Sequence, residues 1–503
     1  MKQPQQDWIA KWAVYSPDKV AVKEYETQRK LTYGSLHRLG SRLAFHLQSE
    51  YGIGKGSRIA ILAENCLEYI VLFAAMQKMG CILVPINYRL TSLEVDYLLR
   101  DSEPALAISE QKFEATLKAA PAFSQIPNFW PLEELAAFCE KYSTAPEAAE
   151  YPLEVVEEDH PAFILYTSGT TGFPKGAIYS HKMLFWNSIN TAMSLIINTE
   201  SRTINVMPPF HTGGWNVLTT PFLHHGAYTC LLKKFDAPTV LRFIQEEKAT
   251  LFMGVPTMLK MMAETPEFES AAFPNLLYII VGGESMPIPL IEQWDAKGVA
   301  IRQGYGMTEV GPNLTSLHQN DAIRRKGSIG RPNFYVQIRI VDEAGQAVPP
   351  NQAGELLLRG PMVTPGYWNN ETATRKALDS GWFHTGDMVR EDEEGYLFVV
   401  DRIKNMFISG GENVYPAEVE RVLLAHEDIS EAAVIGAPDE KWGEVGKAFV
   451  VAREGAKLTA ENVAEHCRKN LAKFKAPKYI LFVDELPKND TGKINRQALK
   501  EWG

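Results

Sequence analysis

Arg58-Ile59-Ala60-Ile61-Leu62, then Cys66 to Met79, then Cys81-Ile82-Leu83-Val84-Pro85 is the stretch that decides the architecture. A short β-branched apolar run reads as a buried strand, the longer run suits a helix, and a second apolar run follows it. Two strands joined by a helix lie parallel, because the crossover returns the chain to the same end of the sheet. The block is not a membrane span. From Tyr69 to Ile86 it is interrupted by Gln77, Lys78 and Gly80, and it falls short of the ~20 apolar residues that a span needs.

The same alternation extends in both directions. Upstream, Lys19 to Tyr25 and Lys30 to Tyr33 read as a short β pair, and Leu36, Leu39, Leu43 and Leu47 recur at helical spacing. Downstream, Ala162 to Tyr166, Thr250 to Val255 and Leu277 to Val281 are apolar strands, each leading into a glycine- or proline-bearing loop. A body built this way places its ligand at the carboxyl ends of its strands. After about residue 325 the segments shorten and turn β-like: Val336 to Val341, Gly354 to Arg359 and Gly395 to Val400. Asp401-Arg402-Ile403-Lys404-Asn405 is polar and reads as a linker. Beyond it, helical Ala417 to Leu424 and Glu461 to Leu471 alternate with strand-like Ala432 to Ile435 and Ala448 to Val451. That is enough chain for a small α+β domain.

Composition narrows the function. The chain has 503 residues, 45% hydrophobic and 22% charged, with a net charge of −10. A globular, multi-unit protein is implied, and collagenous, disordered and disulfide-scaffold classes are excluded. There is no basic excess for gripping nucleic acid, so anionic ligands must be held by local donors. Cys66, Cys81, Cys139, Cys230 and Cys467 are odd in number and scattered, as reduced thiols are and as zinc sites or disulfide frameworks are not. The start lacks an apolar h-region, which speaks against a signal peptide. The expectation is a cytoplasmic protein with no transmembrane segment, monomeric or homodimeric.

Tyr166-Thr167-Ser168-Gly169-Thr170-Thr171-Gly172-Phe173-Pro174-Lys175-Gly176 carries the strongest local chemistry. A buried strand runs into glycines that let backbone N–H groups face phosphate oxygens, with hydroxyls and a lysine as further donors. It is not a Walker A loop, since it has no Gly-Lys followed by Ser or Thr at the required spacing. Five more stretches follow in order: Gly304-Tyr305-Gly306-Met307-Thr308-Glu309, Gly381-Trp382-Phe383-His384-Thr385-Gly386-Asp387, Asp401-Arg402-Ile403-Lys404, Ser409-Gly410-Gly411-Glu412-Asn413-Val414-Tyr415-Pro416 and Pro487-Lys488-Asn489-Asp490-Thr491-Gly492-Lys493.

This ordered set resembles the signatures of the adenylate-forming superfamily, in its acyl-CoA synthetase branch, over almost the whole chain. The resemblance implies an α/β protein in two parts. Residues 1–401 would form a large ATP- and acid-binding body of parallel sheets with a β-rich subdomain, and residues 402–503 a small mobile α+β lid. It implies an ATP or AMP site from Thr167, Ser168, Gly169, Thr170, Thr171, Gly172 and Lys175, from Gly283, Glu284 and Ser285, from Gly304, Tyr305, Gly306, Met307 and Thr308, and from Asp387, Arg402 and Lys493. Glu309 and Thr170 would hold Mg²⁺, Asp387 would accept the ribose hydroxyls with Arg402 beside it, and Tyr305 offers a flat face to adenine. Thr308, Glu309, His211 and Lys493 would be the catalytic residues. Lys493 would swing in with the lid to bridge the substrate carboxylate and the α-phosphate, a task suited to a compact charge on a flexible stem. Lys404 would be the hinge.

The implied reaction has two steps: a carboxylate attacks the α-phosphate of ATP with loss of pyrophosphate, and a thiol then displaces AMP. In Phe210-His211-Thr212-Gly213-Gly214-Trp215, the residue after Phe210 is His211. Amino-acid-activating relatives place an aspartate there for the substrate's ammonium, which would be costly to bury unpaired. Trp186, His211, Gly213, Trp215, Gly282 and Met307 are expected to line an acid pocket for an apolar tail, medium- to long-chain fatty or aryl. CoA is the expected acceptor, with Gly410, Gly411, Glu412, Lys473 and Lys475 along its channel; only ten residues follow Lys493, too few for a carrier domain. The basic groups Arg468, Lys469, Lys473, Lys475 and Lys478, and separately Arg324-Arg325-Lys326, are open either to anionic partners or to plain solvation. Two alternatives remain: a ligase that loads a separate carrier protein, and a non-catalytic nucleotide-binding module.

Overall fold

The computed structural model describes residues 7–143, 145, 149–167, 174–410, 412–489 and 492–502. The deciding stretch forms strand Arg58–Leu62, helix Leu67–Met79 and strand Ile82–Pro85, with the two strands parallel. They sit inside a six-stranded sheet, whose spatial order is Phe129–Pro131, Leu106–Ser109, Arg58–Leu62, Ile82–Pro85, Pro161–Thr167 and Lys175–Ser180. All neighbours in it are parallel except the last pair, a hairpin. Every residue of helix Leu67–Met79 is buried. Apolar character all round a helix has this consequence: it lies between layers rather than on a surface. Its two charged residues are paired, Glu68 to Arg29 at 2.6 Å and Lys78 to Asp7 at 2.5 Å, as burial of charge requires.

A second sheet orders Leu251–Gly254, Tyr278–Val281, Ile301–Met307, Gly311–Ser316 and Arg331–Pro332. Its first three strands are parallel, and an antiparallel hairpin follows. At Gly306 this hairpin closes so tightly that an added Cβ would lie 2.2 Å from the Pro312 carbonyl oxygen, so only glycine fits. The short β pair near the start, Val20–Glu24 with Lys30–Thr32, is present. It also joins Tyr228–Leu231 and Arg202–Asn205 in a third sheet, a long-range pairing that local pattern does not reveal.

The later β-rich segments form one sheet of Gln337–Val341, Ala353–Arg359, Trp382–Glu391, Leu378–Asp379 and Leu397–Arg402. Here the linker expectation needs correction. Asp401 and Arg402 are the last residues of a strand, in register with Met388 and Asp387, and only Ile403–Asn405 follows as a 3₁₀ turn. The remaining chain packs helices Pro416–Leu424, Ala460–Asn470 and Arg496–Glu501 on its own five-stranded sheet, around Phe407, Val419, Leu423, Val434 and Val450. All five cysteines are free and buried. Among the described residues no helix is long and apolar enough to cross a membrane.

Burial of His181 carries a pH consequence. The ring is 8% exposed, its Nε2 has no partner among the described residues, and burial with nearby His160 pushes its pKa down to about 3. The native state therefore refuses a proton that the unfolded chain takes up as pH falls below about 6.5, so stability drops from there towards pH 3. From pH 7.5 to pH 5.0 this group costs about 2 kcal/mol. In urea unfolding, His181→Phe should show a correspondingly smaller loss between those two pH values. Equal losses in variant and parent would contradict the assignment.

Candidate active site

The candidate residues gather where parallel strands end. Thr167 closes Pro161–Thr167, the Gly282–Ser285 loop follows Tyr278–Val281, and the turn Thr308–Val310 follows Ile301–Met307. His211 lies in the loop beyond Arg202–Asn205. Carboxyl ends of parallel strands converge on one crevice, which is why distant segments meet there. Ser168, Gly169, Thr170, Thr171, Gly172 and Gly411 lie outside the described residues.

Glu309 sits on the turn Thr308–Val310, with Thr308 beside it. Its Oε1 accepts hydrogen bonds from the Tyr367 hydroxyl at 3.0 Å and from Thr167 Oγ1 at 3.3 Å. The Lys175 ammonium lies 5.4 Å from the centre of the Tyr367 ring. Thr167 thus meets the glutamate directly, and Lys175 meets it through the Tyr367 ring. Sequence reasoning passed over Tyr367, which arrives by a long-range β-bridge to Ala177. Burial and the Glu309 charge hold its hydroxyl protonated well above the ordinary tyrosine range. Among the described residues both bonds use Oε1, which leaves Oε2 available to a hard cation such as Mg²⁺.

Asp387 is buried on strand Trp382–Glu391. Its Oδ1 is 2.8 Å from Arg402 Nε, and its Oδ2 accepts from the Tyr305 hydroxyl at 2.5 Å. Burial raises the carboxyl pKa, and Arg402, the Tyr305 bond and Lys493 oppose it. Tyr305 is oriented by this bond. Gly304 allows close approach of its own hairpin, where a Cβ would lie 3.2 Å from the Thr315 carbonyl oxygen.

Lys493 enters from the small domain. The Asn489 N–H donates to the Lys493 carbonyl at 2.8 Å, and Gly492 is in the left-handed region at φ +83°. The Lys493 side chain reaches Gly283, where its Cε lies 4.0 Å from the position of an added Cβ. The side chain keeps solvent access within the open crevice, yet crowding lowers its pKa; Glu284 and Asp387 oppose that shift, and Arg402 adds to it. Glu284 responds in kind, raised by burial and drawn back by Lys493. Ser285 stands exposed beside it.

His211 belongs to the same crevice. Burial, then Lys493 and Arg89, push its pKa down to about 4, and its Nε2 has no partner among the described residues. The ring is therefore neutral at ordinary pH. Gly213 faces Met207 and Met253, whose Cε atoms lie 3.4 and 4.0 Å from its added Cβ; neither methionine was anticipated. Gly282 borders Gly304, whose carbonyl oxygen is 3.7 Å from its added Cβ. Trp186 and Met307 pack on one apolar cluster, with Tyr335 4.8 Å from Trp186.

Trp215 corrects the expected pocket wall. It is 2% exposed, packs among Tyr69, Phe73 and Phe163, and donates its indole N–H to the Pro209 carbonyl. It serves the core and leaves no face to a substrate. The basic clusters, open between anionic partners and solvation, are largely paired. Lys475 is 2.8 Å from Glu418, Arg468 is paired with Glu461, Lys469 with Glu465 and Lys478 with Asp439. Only Lys473 of that group stands exposed with no ion pair among the described residues. Arg324, Arg325 and Lys326 are likewise matched by Asp321, Asp392 and Glu292, so that patch is no free basic surface. Gly410 and Glu412 lie on the hairpin Phe407–Ser409 with Glu412–Val414. Gly410, at φ +61°, is backed by the Trp442 ring 2.8 Å from an added Cβ. Lys404 lies on the 3₁₀ turn, its pKa lowered by burial and by Arg402.

Residues 9–368 match the family described as AMP-binding enzyme, and residues 418–493 match the AMP-binding enzyme C-terminal domain. A feruloyl-CoA synthase from an Amycolatopsis species is 37% identical over 487 residues, 97% of this chain and 96% of the relative. A long-chain-fatty-acid–CoA ligase of Mycobacterium tuberculosis is 37% identical over 495 residues, 97% and 96% of the two chains. The o-succinylbenzoate CoA synthetase of Bacillus subtilis, solved with its acyl-adenylate intermediate, superposes with a TM-score of 0.88 at 31% identity, covering 99% of this chain and 98% of that one.

Proposed function

The chain belongs to the AMP-binding enzyme family, and on that premise we propose how its residues divide the work of an ATP-dependent acyl-CoA synthetase. It is an acid–thiol ligase that forms AMP. The observation that carries the residue assignment is the meeting of Lys493, from the small domain, with Gly283, Glu284, Asp387 and His211 of the body.

Asp387 holds the ribose hydroxyls, aligned by Arg402 and Tyr305, and Tyr305 presents its ring to the base. The Thr167–Lys175 hairpin cradles the phosphates. Glu309, with Thr170 of the loop, holds Mg²⁺, which when bound offsets the charge of the phosphate oxygens. Lys493 supplies a positive charge between the substrate carboxylate and the α-phosphate, lowering the repulsion between two anions as they meet. Neutral His211 borders the reacting carbonyl without adding a competing charge. The acid's tail lies against Met207, Met253, Trp186 and Met307, apolar side chains that suit a fatty or aryl tail.

After adenylate formation the lid turns about Lys404, withdraws Lys493 and brings the Gly410 hairpin to the thiol of CoA. Incubation with Mg·ATP, CoA and a panel of fatty and aryl acids should yield AMP, pyrophosphate and a thioester. No thioester with any acid in the panel would remove the reading. Lys404→Pro, which locks φ at the pivot, should leave ATP–pyrophosphate exchange within about threefold while slowing thioester output about tenfold or more. Unchanged output would remove the hinge assignment.

A further inference from the structure

We propose that Asp401 is a positioning residue for the first half-reaction, a latch that holds the lid in the arrangement that places Lys493 in the crevice. The proposal rests on the reading that the lid pivots about Lys404. Asp401 is the penultimate residue of the body's strand Leu397–Arg402 and is 5% exposed. One of its carboxylate oxygens binds the pivot turn and the other binds the lid helix. Oδ1 accepts from the Arg402 N–H at 2.6 Å and from Asn405 Nδ2 at 3.0 Å, fastening the turn that contains Lys404. Oδ2 accepts from the Ala417 N–H at 2.7 Å, in the first turn of lid helix Pro416–Leu424.

That helix has no cap of its own. Tyr415 stands at its N-cap position and makes no side-chain cap bond, and Pro416 at the first helical position has no N–H to satisfy. Serine, threonine, aspartate or asparagine would ordinarily fill the cap. The lid helix instead takes its cap from the body, and the charge of Asp401 suits the positive end of the helix dipole. Residues 401 and 417 lie on opposite sides of residue 404, so rotation about Lys404 parts Oδ2 from the Ala417 N–H. The bond exists only while the lid is in the Lys493-in position, and its energy counts towards that state alone. Near the same interface, Arg496 is bound to Glu420 at 2.6 and 2.7 Å. Both belong to the lid and move together, so they do not substitute for the latch.

The experiment separates the half-reactions. Asp401→Ala should lower ATP–pyrophosphate exchange about tenfold, the cost of a lost charged cap converted to rate. Thioester formation from supplied acyl-adenylate and CoA should be unchanged or a few-fold faster. Asp401→Asn, which keeps one acceptor, should fall between. Equal loss in both half-reactions, or loss in neither, would overturn the latch. Hydrogen exchange in the parent enzyme gives a readout that does not depend on a variant folding. The Ala417 amide should be more protected with Mg²⁺ and α,β-methylene-ATP than with AMP and CoA. Identical protection in an enzyme that makes thioester would overturn the latch; absence of thioester synthesis in the parent would instead overturn the functional reading.

Discussion

Lys493→Ala is expected to lower ATP–pyrophosphate exchange by about 10²–10³-fold, the usual cost of removing one positioned donor from a charged transition state. The loss falls on kcat more than on the KM for ATP, because Asp387, Arg402 and Tyr305, which hold the nucleotide in this account, are untouched. Thioester formation from supplied acyl-adenylate should survive within a few-fold, since the lysine is withdrawn in that step. The variant should also fold. A backbone bond joins Asn489 to Lys493, and the Lys493 side chain projects into the crevice rather than into the core. Equal loss in the two half-reactions would show that Lys493 supports the lid as a whole and not one chemical step.

Glu309→Gln is expected to lower adenylate formation about a hundredfold, the scale of a weakened Lewis-acid contribution of a few kcal/mol. Glutamine keeps an oxygen that can accept from Tyr367 and Thr167, so the local bonds at 3.0 and 3.3 Å have a replacement acceptor. It lacks the negative charge that holds a divalent cation. At saturating ATP the half-saturating Mg²⁺ concentration should therefore rise together with the fall in rate. A slow variant with the parent's Mg²⁺ dependence would separate Glu309 from the metal and leave it a role in orienting Tyr367.

Much of this organisation is legible in the amino-acid order. Arg58–Leu62 is a strand over the residues that its apolar run marks, because Ser57 and Ala63 bound a run with no competing helical period. Helix Leu67–Met79 starts after Cys66 and stops at Gly80, which adopts φ +66°. The site motifs stand out because glycines and hydroxyls crowd into short loops after apolar strands. What escapes is set by distance along the chain. Tyr367 reaches Glu309 only through its bridge to Ala177, and nothing near Tyr367 marks it. The basic run Arg468 to Lys478 looks like an anion site until Glu418 and Asp439 are seen beside it. Trp215 reads as a pocket wall from its neighbours Gly213 and Gly214, but the packing of Tyr69, Phe73 and Phe163 claims it for the core. Asp401 looks like one polar residue in a linker, and its link to the lid helix becomes visible only when residue 417 is placed.

The central claim is that the acid's own oxygen attacks the α-phosphate. Turnover of an acid labelled with oxygen-18 in both carboxylate positions, followed by mass spectrometry of the nucleotide, tests it most directly. One labelled oxygen per molecule of AMP, with unlabelled pyrophosphate, is the predicted result. Label in inorganic phosphate with ADP as the nucleotide, or thioester formed with unlabelled AMP, would contradict it.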